Sequence, residues 1–379
     1  MPIRTLLSAL SLLLLLETGC RVQETPEISV PSQTPGRAKN IILLIGDGMG
    51  LAQISAALYS NNNKLALEQF TTIGLHKPNS ANDLITDSAA GATAFACGQK
   101  TYNGAIGINA DSVPCYTILE EAEARGYATG LIATSTIVHA TPASFIAHQP
   151  IRIFYEEIAA DFLKTDIDLF IGGGKRYFDR REKDSRNLYA ELQKKGYLVS
   201  DYSIEELSEV SLNGRRNFAF FTADKHPVPA EAGRDYLPYA VKMACSFLSK
   251  RSEQGFFLMA EGSQIDWGGH SNDGQLTIGE TLDFDKAVAA ALDFARKDGQ
   301  TLVVVTADHE SGGMALNPGS EMNAIQAKFT TNGHTGTMVP VFAYGPSSKL
   351  FGGIYDNTEI YFKMKQALGF LTETTSASP

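Results

Sequence analysis

Short apolar runs recur along the chain, and most of them end in glycine, aspartate or serine. Runs of this length, rich in β-branched residues and bounded by turn residues, are typical of strands buried on both faces of a parallel sheet. Seven segments follow this pattern: NIILLIGDG, YATGLIATS, DLFIGGG, NFAFFTAD, GFFLMAEG, QTLVVVTADHE and MVPVFAYGP.

The segments between these runs, such as Cys115–Arg125 and Asp283–Lys297, have the apolar spacing of helices. We find no internal repeat. Strands that alternate with helices predict an α/β fold: a single doubly wound, mostly parallel β-sheet flanked by helices on both faces.

The segment DLITDSAAGATAFACG, from Asp83 to Gly98, is unusual for a helix. Gly91 costs roughly 1 kcal/mol relative to alanine inside a helix, although small residues let backbones pack closely. Ser88 follows an aspartate, and this step is a common helix start. Ser88 is therefore either a cap or a nucleophile held at the positive end of a helix.

The first twenty residues predict an export signal. Arg4 is followed by an apolar stretch, Leu6 to Leu16, which is too short for the roughly 20 residues that span a bilayer. Gly19 directly before Cys20 resembles a bacterial lipoprotein processing site. We expect Cys20 to carry lipid and to attach the exported chain to a membrane, in the periplasm or at the cell surface. A plain secretory signal is the alternative, because Glu17 fits the strict pattern poorly.

Composition limits the partners and the chemistry of the thiols. Residues 21–39 are polar and proline-bearing and predict a flexible tether, and residues 371–379 predict a disordered tail. With 42 acidic and 32 basic residues and no run of like charge, nucleic acid is not expected as a specific partner.

Three cysteines follow Cys20, namely Cys97, Cys115 and Cys245. Because their number is odd, at least one of them stays free. We interpret Cys97 as a small buried residue rather than a redox group.

Polar residues collect at the ends of the predicted strands. Asp47 follows IILLIG, Glu261 follows FFLMA, and Asp308 and His309 follow TLVVVTA. Ligands of doubly wound sheets bind beyond the carboxyl ends of the strands. A single aspartate at a strand end is often only a turn residue. Several strands that end in acidic residues or histidine together indicate a ligand-binding site.

The acidic and histidine residues form three candidate metal-binding sets. Asp266, His270 and His334 offer one carboxylate and two imidazoles, which suits catalytic zinc with an open position. Gly268 and Gly269 argue against a regular helix there and favour a compact turn. Two further sets use the strand ends: Asp47, Asp308 and His309 mix oxygen and nitrogen, whereas Asp47, Thr141 and Glu261 offer only oxygen, which suits magnesium.

Six segments now give a family resemblance: LLIGDGMG, TDSAAGATAFACG, HATPASFIAHQPIR, EGSQIDWGGH, TADHESGG and GHTGT. In this order, and spanning Asn40 to Tyr344, they resemble the alkaline phosphatases, especially compact bacterial members. The resemblance implies that residues 40–370 form a catalytic domain that hydrolyses phosphate monoesters to an alcohol and inorganic phosphate. It also implies two zinc ions, one magnesium ion and a homodimer.

The resemblance also implies roles for individual residues. Ser88 matches the nucleophile that becomes phosphoserine and that also contacts metal, and Arg152 matches the arginine that binds the substrate phosphate. The three sets match the first zinc site (Asp266, His270, His334), the second zinc site (Asp47, Asp308, His309) and the magnesium site (Asp47, Thr141, Glu261). His139 and Trp267 stand where the best-studied enteric enzyme has aspartate and lysine. We expect these two residues to change magnesium affinity and phosphate release.

Two other functions are weighed against this one. A sulfatase would need a Cys-x-Pro-x-Arg nucleophile segment, which is absent, while phosphodiester hydrolysis remains open as a side activity. A surface lipoprotein that binds metal or phosphate without turnover is the alternative outside enzymes. The filled catalytic positions argue against it.

Overall fold

The computed structural model describes residues 36–212, 214 and 216–371. Its strands are β1 (Asn40–Gly46), β2 (Thr72–Lys77), β3 (Ala128–Thr136), β4 (Leu169–Gly173), β5 (Leu198–Asp201), β6 (Phe218–Phe221), β7 (Phe256–Gly262), β8 (Thr301–Thr306), β9 (Glu310–Ser311), β10 (Ala315–Leu316), β11 (Ala327–Lys328), β12 (His334–Thr335), β13 (Val339–Tyr344) and β14 (Gly353–Asp356). Its helices are α1 (Leu51–Ser60), α2 (Ser88–Cys97), α3 (Ile118–Ala124), α4 (Ala140–Ala143), α5 (Tyr155–Asp161), α6 (Arg176–Asp179), α7 (Leu188–Lys194), α8 (Tyr236–Leu248), α9 (Ile265–Ser271), α10 (Gly274–Asp298) and α11 (Glu359–Leu368).

The central sheet has ten strands in the order β14-β2-β13-β8-β1-β7-β3-β4-β6-β5. The strands from β8 to β5 run parallel, whereas β13 is antiparallel to both of its neighbours. Each of the seven predicted apolar runs forms a strand of this sheet. The predicted fold class is therefore confirmed.

Both faces of the sheet are covered by helices. Along β1, Ile41, Leu43 and Ile45 pack into one core, and Ile42 and Leu44 pack into the other. Helices α2, α3 and α11 contribute to the first core, and α8 and α10 contribute to the second. Burial on both faces explains why these strands are apolar runs without alternation.

The register of the central strands creates the site. Ile45 of β1 lies beside Glu261 of β7 on one side and beside Thr306 of β8 on the other. Because the three strands are parallel and aligned in register, Asp47, Glu261 and Asp308 lie at the same edge of the sheet.

The structure tests two predictions about the cysteines. Cys97 is buried, as expected, but it is not simply a small buried residue, because it forms a disulfide with Cys115 across 5.9 Å between Cα atoms. Cys245 is buried and free, which confirms that at least one cysteine stays unpaired.

The predicted signal peptide with Cys20, residues 21–35 of the predicted tether and residues 372–379 of the predicted tail lie outside the described residues. The end of the predicted tether belongs to the folded unit, since Ala38 is buried and its N–H donates to the Ala367 carbonyl at 2.9 Å. Among the helices of the described ranges, none has the length and apolar character needed to cross a bilayer.

Candidate active site

Ser88 is the first residue of α2, and its neighbour Asp87 caps the helix. The Asp87 carboxylate accepts the Ala90 N–H at 3.0 Å, so the serine side chain is not used as a cap. Ser88 is almost fully buried. Its hydroxyl donates to Asp47 Oδ1 at 3.4 Å and lies 3.2 Å from His309 Nε2. Of the two roles open for Ser88, this geometry favours a reactive hydroxyl at the positive end of a helix.

The first predicted metal set is assembled in space. His270 Nε2 lies 3.3 Å from Asp266 Oδ2, and His334 Nε2 lies 3.4 Å from Asp266 Oδ1 and 3.1 Å from His270 Nε2. Each imidazole donates Nδ1–H to a backbone carbonyl, that of Asn332 or that of Thr86. These bonds hold both rings with Nε2 toward the carboxylate, the atom that a metal would bind. The hydrogen bond to Asp266 raises the pKa of His270 to about 9. Burial acts to lower the pKa of His334, but Asp266 outweighs burial and raises it, so a bound cation would displace the Nε2 protons.

The predicted compact turn around the two glycines is wrong, because residues 265–271 form the helix α9. Close packing explains the glycines. A Cβ at Gly268 would come within 2.6 Å of the Thr277 backbone nitrogen, and one at Gly269 within 2.6 Å of the Ser311 Cβ. The helix still places Asp266 and His270 on one face, as their spacing of four requires.

The second set is fully buried. His309 Nε2 lies 3.4 Å from Asp47 Oδ1 and 3.3 Å from Asp308 Oδ2. The His309 ring stacks on His334 with centroids 3.5 Å apart, so the first and second sets adjoin. Donor atoms of Asp266, His309 and His334 also lie within 4.8 Å of one another.

The third set shares Asp47 with the second set. Donor atoms of Asp47, Glu261 and His139 lie within 4.8 Å of one another, and Thr141 is buried near Glu261. Ser263 donates its hydroxyl hydrogen to Glu261 Oε2. Among the described residues, Asp47 Oδ2, Glu261 Oε1 and Thr141 Oγ1 are buried without a hydrogen-bond partner.

Electrostatics show that the second and third sets lack positive charge. Burial, together with repulsion from neighbouring carboxylates, raises the pKa of Asp47 well above its usual range and that of Asp308 to about 6. Burial raises the pKa of Glu261 to about 8. Buried carboxylates with unsatisfied oxygens are costly unless they are paired or bind metal. The donor atoms and the orphaned oxygens therefore fit divalent cations.

Arg152 lies at the edge of these sets, with its side chain 23% exposed. It donates from one terminal nitrogen to Asp87 Oδ2 at 2.9 Å and from the other to His139 Nε2 at 3.4 Å. Burial, with the nearby Arg152 charge, lowers the pKa of His139 to about 3, so this imidazole is neutral. The predicted site residues are thus brought together at one edge of the sheet.

Three further residues support the site and were not found from the sequence. Asp87 holds Arg152, Ser311 donates its hydroxyl hydrogen to Asp266 Oδ1, and His226 lies between Trp267 and His139. Asp87 and Ser311 are each next to or close to a predicted site residue in the sequence. His226 belongs to a loop whose residues suggest no role.

Comparison with known proteins agrees with the geometry. The alkaline phosphatase family model matches residues 38–328 and 321–370. Alkaline phosphatase 3 of Bacillus subtilis is 36% identical, with 91% of this chain and 93% of that protein covered. The alkaline phosphatase of Escherichia coli is 34% identical over 88% of this chain and 86% of its own length.

Solved structures agree as well. The alkaline phosphatase from the Antarctic bacterium TAB5 is 45% identical, with a TM-score of 0.84 over 89% of this chain and 100% of that one. The alkaline phosphatase of Thermus thermophilus is 25% identical, with a TM-score of 0.81 over 89% of this chain and 92% of that one. The chain therefore belongs to the alkaline phosphatase family and is a hydrolase of phosphate monoesters.

Proposed function

We propose that hydrolysis proceeds through a phosphoserine at Ser88, with two zinc ions and one magnesium ion held by the three sets. The observation that carries this proposal is the position of the Ser88 hydroxyl, at a helix N-terminus and within 3.4 Å of both Asp47 and His309. A serine hydroxyl is a weak nucleophile unless a base, a metal or a lowered pKa activates it.

The donor chemistry supports one ion for each set. Asp266, His270 and His334 would hold the first zinc ion, and Asp47, Asp308 and His309 the second, with Ser88 as a further ligand. The oxygen atoms of Asp47, Thr141 and Glu261 would hold magnesium, with water completing its shell. A TAB5 alkaline phosphatase variant with aspartate in place of a histidine is described with magnesium in its M3 site, which supports a magnesium site in this fold.

Ser88, helix α2 and Arg152 have different roles in an in-line displacement at phosphorus. When bound, the metal ions supply positive charge for the attacking and leaving oxygens. The Ser88 oxygen attacks phosphorus while the bond to the leaving alcohol oxygen breaks, and a water then attacks the phosphoserine and releases Ser88 with inorganic phosphate. The positive end of the α2 dipole, at Ser88, favours the phosphate charge. Arg152 offers a planar fork for two phosphate oxygens.

A hydrolysis assay on a chromogenic phosphate monoester at alkaline pH, with and without chelator, tests the activity and its metal dependence. Labelled phosphate trapped on the wild type at acid pH should be found on Ser88. We expect Ser88→Ala to lose most turnover and the label while keeping its metal. The matched control is Ser200→Ala, a buried serine of the edge strand β5 that donates to Glu205 at 2.6 Å and lies outside the three sets. Near-native activity in Ser88→Ala would overturn the mechanism, and comparison with a diester measures the side activity.

Variants of the first set test the zinc assignment. We expect Asp266→Ala, His270→Ala and His334→Ala each to lower zinc content and activity together. His148→Ala is the control, since His148 pairs with Glu120 and the Gly107 carbonyl instead. Unchanged zinc by elemental analysis in all three variants would contradict the assignment.

The proposal extends to location and assembly. The apolar run before Cys20, with Gly19 preceding it, supports export and lipid attachment in the periplasm or at the cell surface. Fatty-acid labelling should mark the wild type and not Cys20→Ala; a soluble, unlabelled wild type would leave a plain secretory signal. A homodimer is proposed from the family resemblance, and sedimentation equilibrium tests it.

A further inference from the structure

An exposed basic surface runs along α8 and α10, which pack side by side on one face of the sheet. It carries four exposed lysines, Lys242, Lys250, Lys286 and Lys297, and is termed here the lysine surface. A groove of about 710 Å³ between the two helices contains three of these lysines, and an adjoining groove of about 480 Å³ beside α8 contains Lys242 and Lys250.

The positive charge of this surface is only partly offset by acidic groups. Among the described residues, none of the four lysines forms an ion pair, and two carboxylates, Asp293 and Asp298, line the larger groove beside three of the lysines. Asp293 pairs with Arg296 at 3.6 Å, and Asp298 accepts hydrogen bonds from Asn40, Gln300 and Thr301. The surface is therefore a local positive patch on a chain whose net charge is −10.

Apolar side chains accompany the lysines. The smaller groove is lined by Leu212, Tyr239, Met243 and Phe247, and the Tyr239 ring is 39% exposed. Lysines beside partly exposed aromatic and aliphatic groups are typical of surfaces that lie against lipid headgroups.

The position of the lysine surface relates it to the chain terminus. Helices α8 and α10 lead directly into β7 and β8, so their C-terminal ends, with Lys250 and Lys297, lie at the end of the sheet opposite the active site. The described chain begins at this same end, where the Lys39 N–H donates to the Gln300 carbonyl at 2.9 Å. The segment between Cys20 and Gly36 spans at most about 55 Å when fully extended.

We infer that the lysine surface docks on the anionic phospholipid headgroups of the membrane that holds Cys20. This inference rests on the lipid attachment proposed above. The anchor keeps this end of the molecule near the membrane and raises the effective concentration of headgroups at the lysines. Docked in this way, the carboxyl edge of the sheet, with Ser88, lies outside the membrane contact and stays open to soluble substrate.

Vesicle co-sedimentation tests the surface without the anchor. The protein is the chain from Arg21 onward, which lacks the apolar segment and Cys20 and retains all of the residues that the structure describes. We expect it to bind vesicles that contain phosphatidylglycerol and to release them at high salt. It should not bind vesicles of pure phosphatidylcholine. Each lysine near an anionic membrane contributes roughly fivefold in affinity. Replacing all four lysines with glutamine should therefore weaken binding by up to roughly 600-fold.

A charge-matched variant completes the test: glutamine replaces Lys64, Lys194, Lys328 and Lys349, four exposed lysines outside this surface. It should bind vesicles like the wild type, and both variants should hydrolyse a phosphate monoester at the wild-type rate, which shows that they are folded. Equal losses in the two variants, or no binding by the wild type, would overturn the inference. Release by inorganic phosphate beyond its effect on ionic strength would also overturn it, since it would indicate a phosphate site. Fatty-acid labelling of Cys20 is a separate experiment: its result tests the lipid attachment and does not depend on vesicle binding by the lysine surface.

Discussion

Gly91 of α2 lies directly against Asp308, with the position of a Cβ at Gly91 only 3.0 Å from the Asp308 Cβ. The next nearest atom is the Asp308 carbonyl oxygen at 3.2 Å. The glycine that weakens this helix therefore allows α2 to approach the second set closely, and the approach places Ser88 beside Asp47 and His309.

We expect Gly91→Ala to lower kcat about tenfold by pushing α2 away from Asp308, since small misplacements of reacting groups are costly. The roughly 1 kcal/mol gained from helix propensity should offset the strain, so the melting temperature changes little. Gly279→Ala in α10 is the matched control. A Cβ there meets nothing within 4 Å, so that variant should gain stability and keep its kcat. Full activity in Gly91→Ala would show that this approach is not needed.

Asp87 links the nucleophile helix to the phosphate-binding arginine. Its carboxylate accepts from the Ala90 and Gly104 N–H groups and from Arg152. Burial acts to raise the pKa of Asp87, but the Arg152 charge and these hydrogen bonds outweigh it and hold the pKa below its usual value.

We expect Asp87→Asn to weaken inhibition by inorganic phosphate several-fold, because Arg152 loses a charged partner that orients it. Asp273→Asn is the control, since Asp273 caps α10 through the Gln275 and Leu276 N–H groups, whereas Arg152 pairs with Asp87 and His139. Both variants should lose similar stability, by about 1 kcal/mol or less. If phosphate inhibition is the same in both, Asp87 serves only as a cap.

Glu123 offers a test of pH dependence away from the metal ligands. Burial, with the charge of Asp168 nearby, raises its pKa from 4.5 to about 7, although Thr129 donates a hydrogen bond to it at 2.8 Å. The folded chain thus holds this proton more tightly than the unfolded chain. Glu123 therefore has no effect on stability below about pH 4.5, reduces it progressively as the pH rises to about 7, and imposes a constant penalty above that.

We expect Glu123→Gln to stabilise the protein at pH 8.5 by roughly 1 kcal/mol, after discount for solvent screening at a half-exposed site, and to leave it unchanged at pH 4.5. Urea unfolding at several pH values measures the difference. Glu253→Gln, at an exposed glutamate, should show no such trend. A stabilisation that is equal at both pH values would contradict the raised pKa.

Local patterns predict the centre of the fold better than its edges. The central strands are apolar on both faces, so each is a recognisable run, whereas β2, β5 and β14 lie at or next to the sheet edges and carry more polar residues. The two glycines of α9 favour a turn when only the sequence is considered, but the reason for them is tertiary packing: Thr277 and Ser311 leave no room for a Cβ. Arg152 came from family resemblance alone, since its contacts with Asp87 and His139 join segments that are distant in sequence.

The third set differs from the other two in its neighbours. His139 is neutral and its Nδ1 is buried without a partner among the described residues. The Trp267 ring meets His226 edge-on with centroids 4.9 Å apart, and His226 in turn meets His139 at 5.9 Å. An apolar ring and two imidazoles thus lie beside this set, where an aspartate and a lysine would add a negative and a positive charge.

We expect Trp267→Lys to tighten inhibition by inorganic phosphate, because its ammonium group would add positive charge close to the bound anion. We expect the double variant with His139→Asp to bind magnesium more tightly, since a third carboxylate would join Asp47 and Glu261; groups beside a metal commonly change its affinity 10- to 100-fold. Phosphate inhibition and magnesium reactivation after chelation are the two titrations. Trp267→Phe is the control, because it keeps an aromatic edge for His226 without adding charge. If both titration curves overlay those of the wild type, His139 and Trp267 act through packing alone.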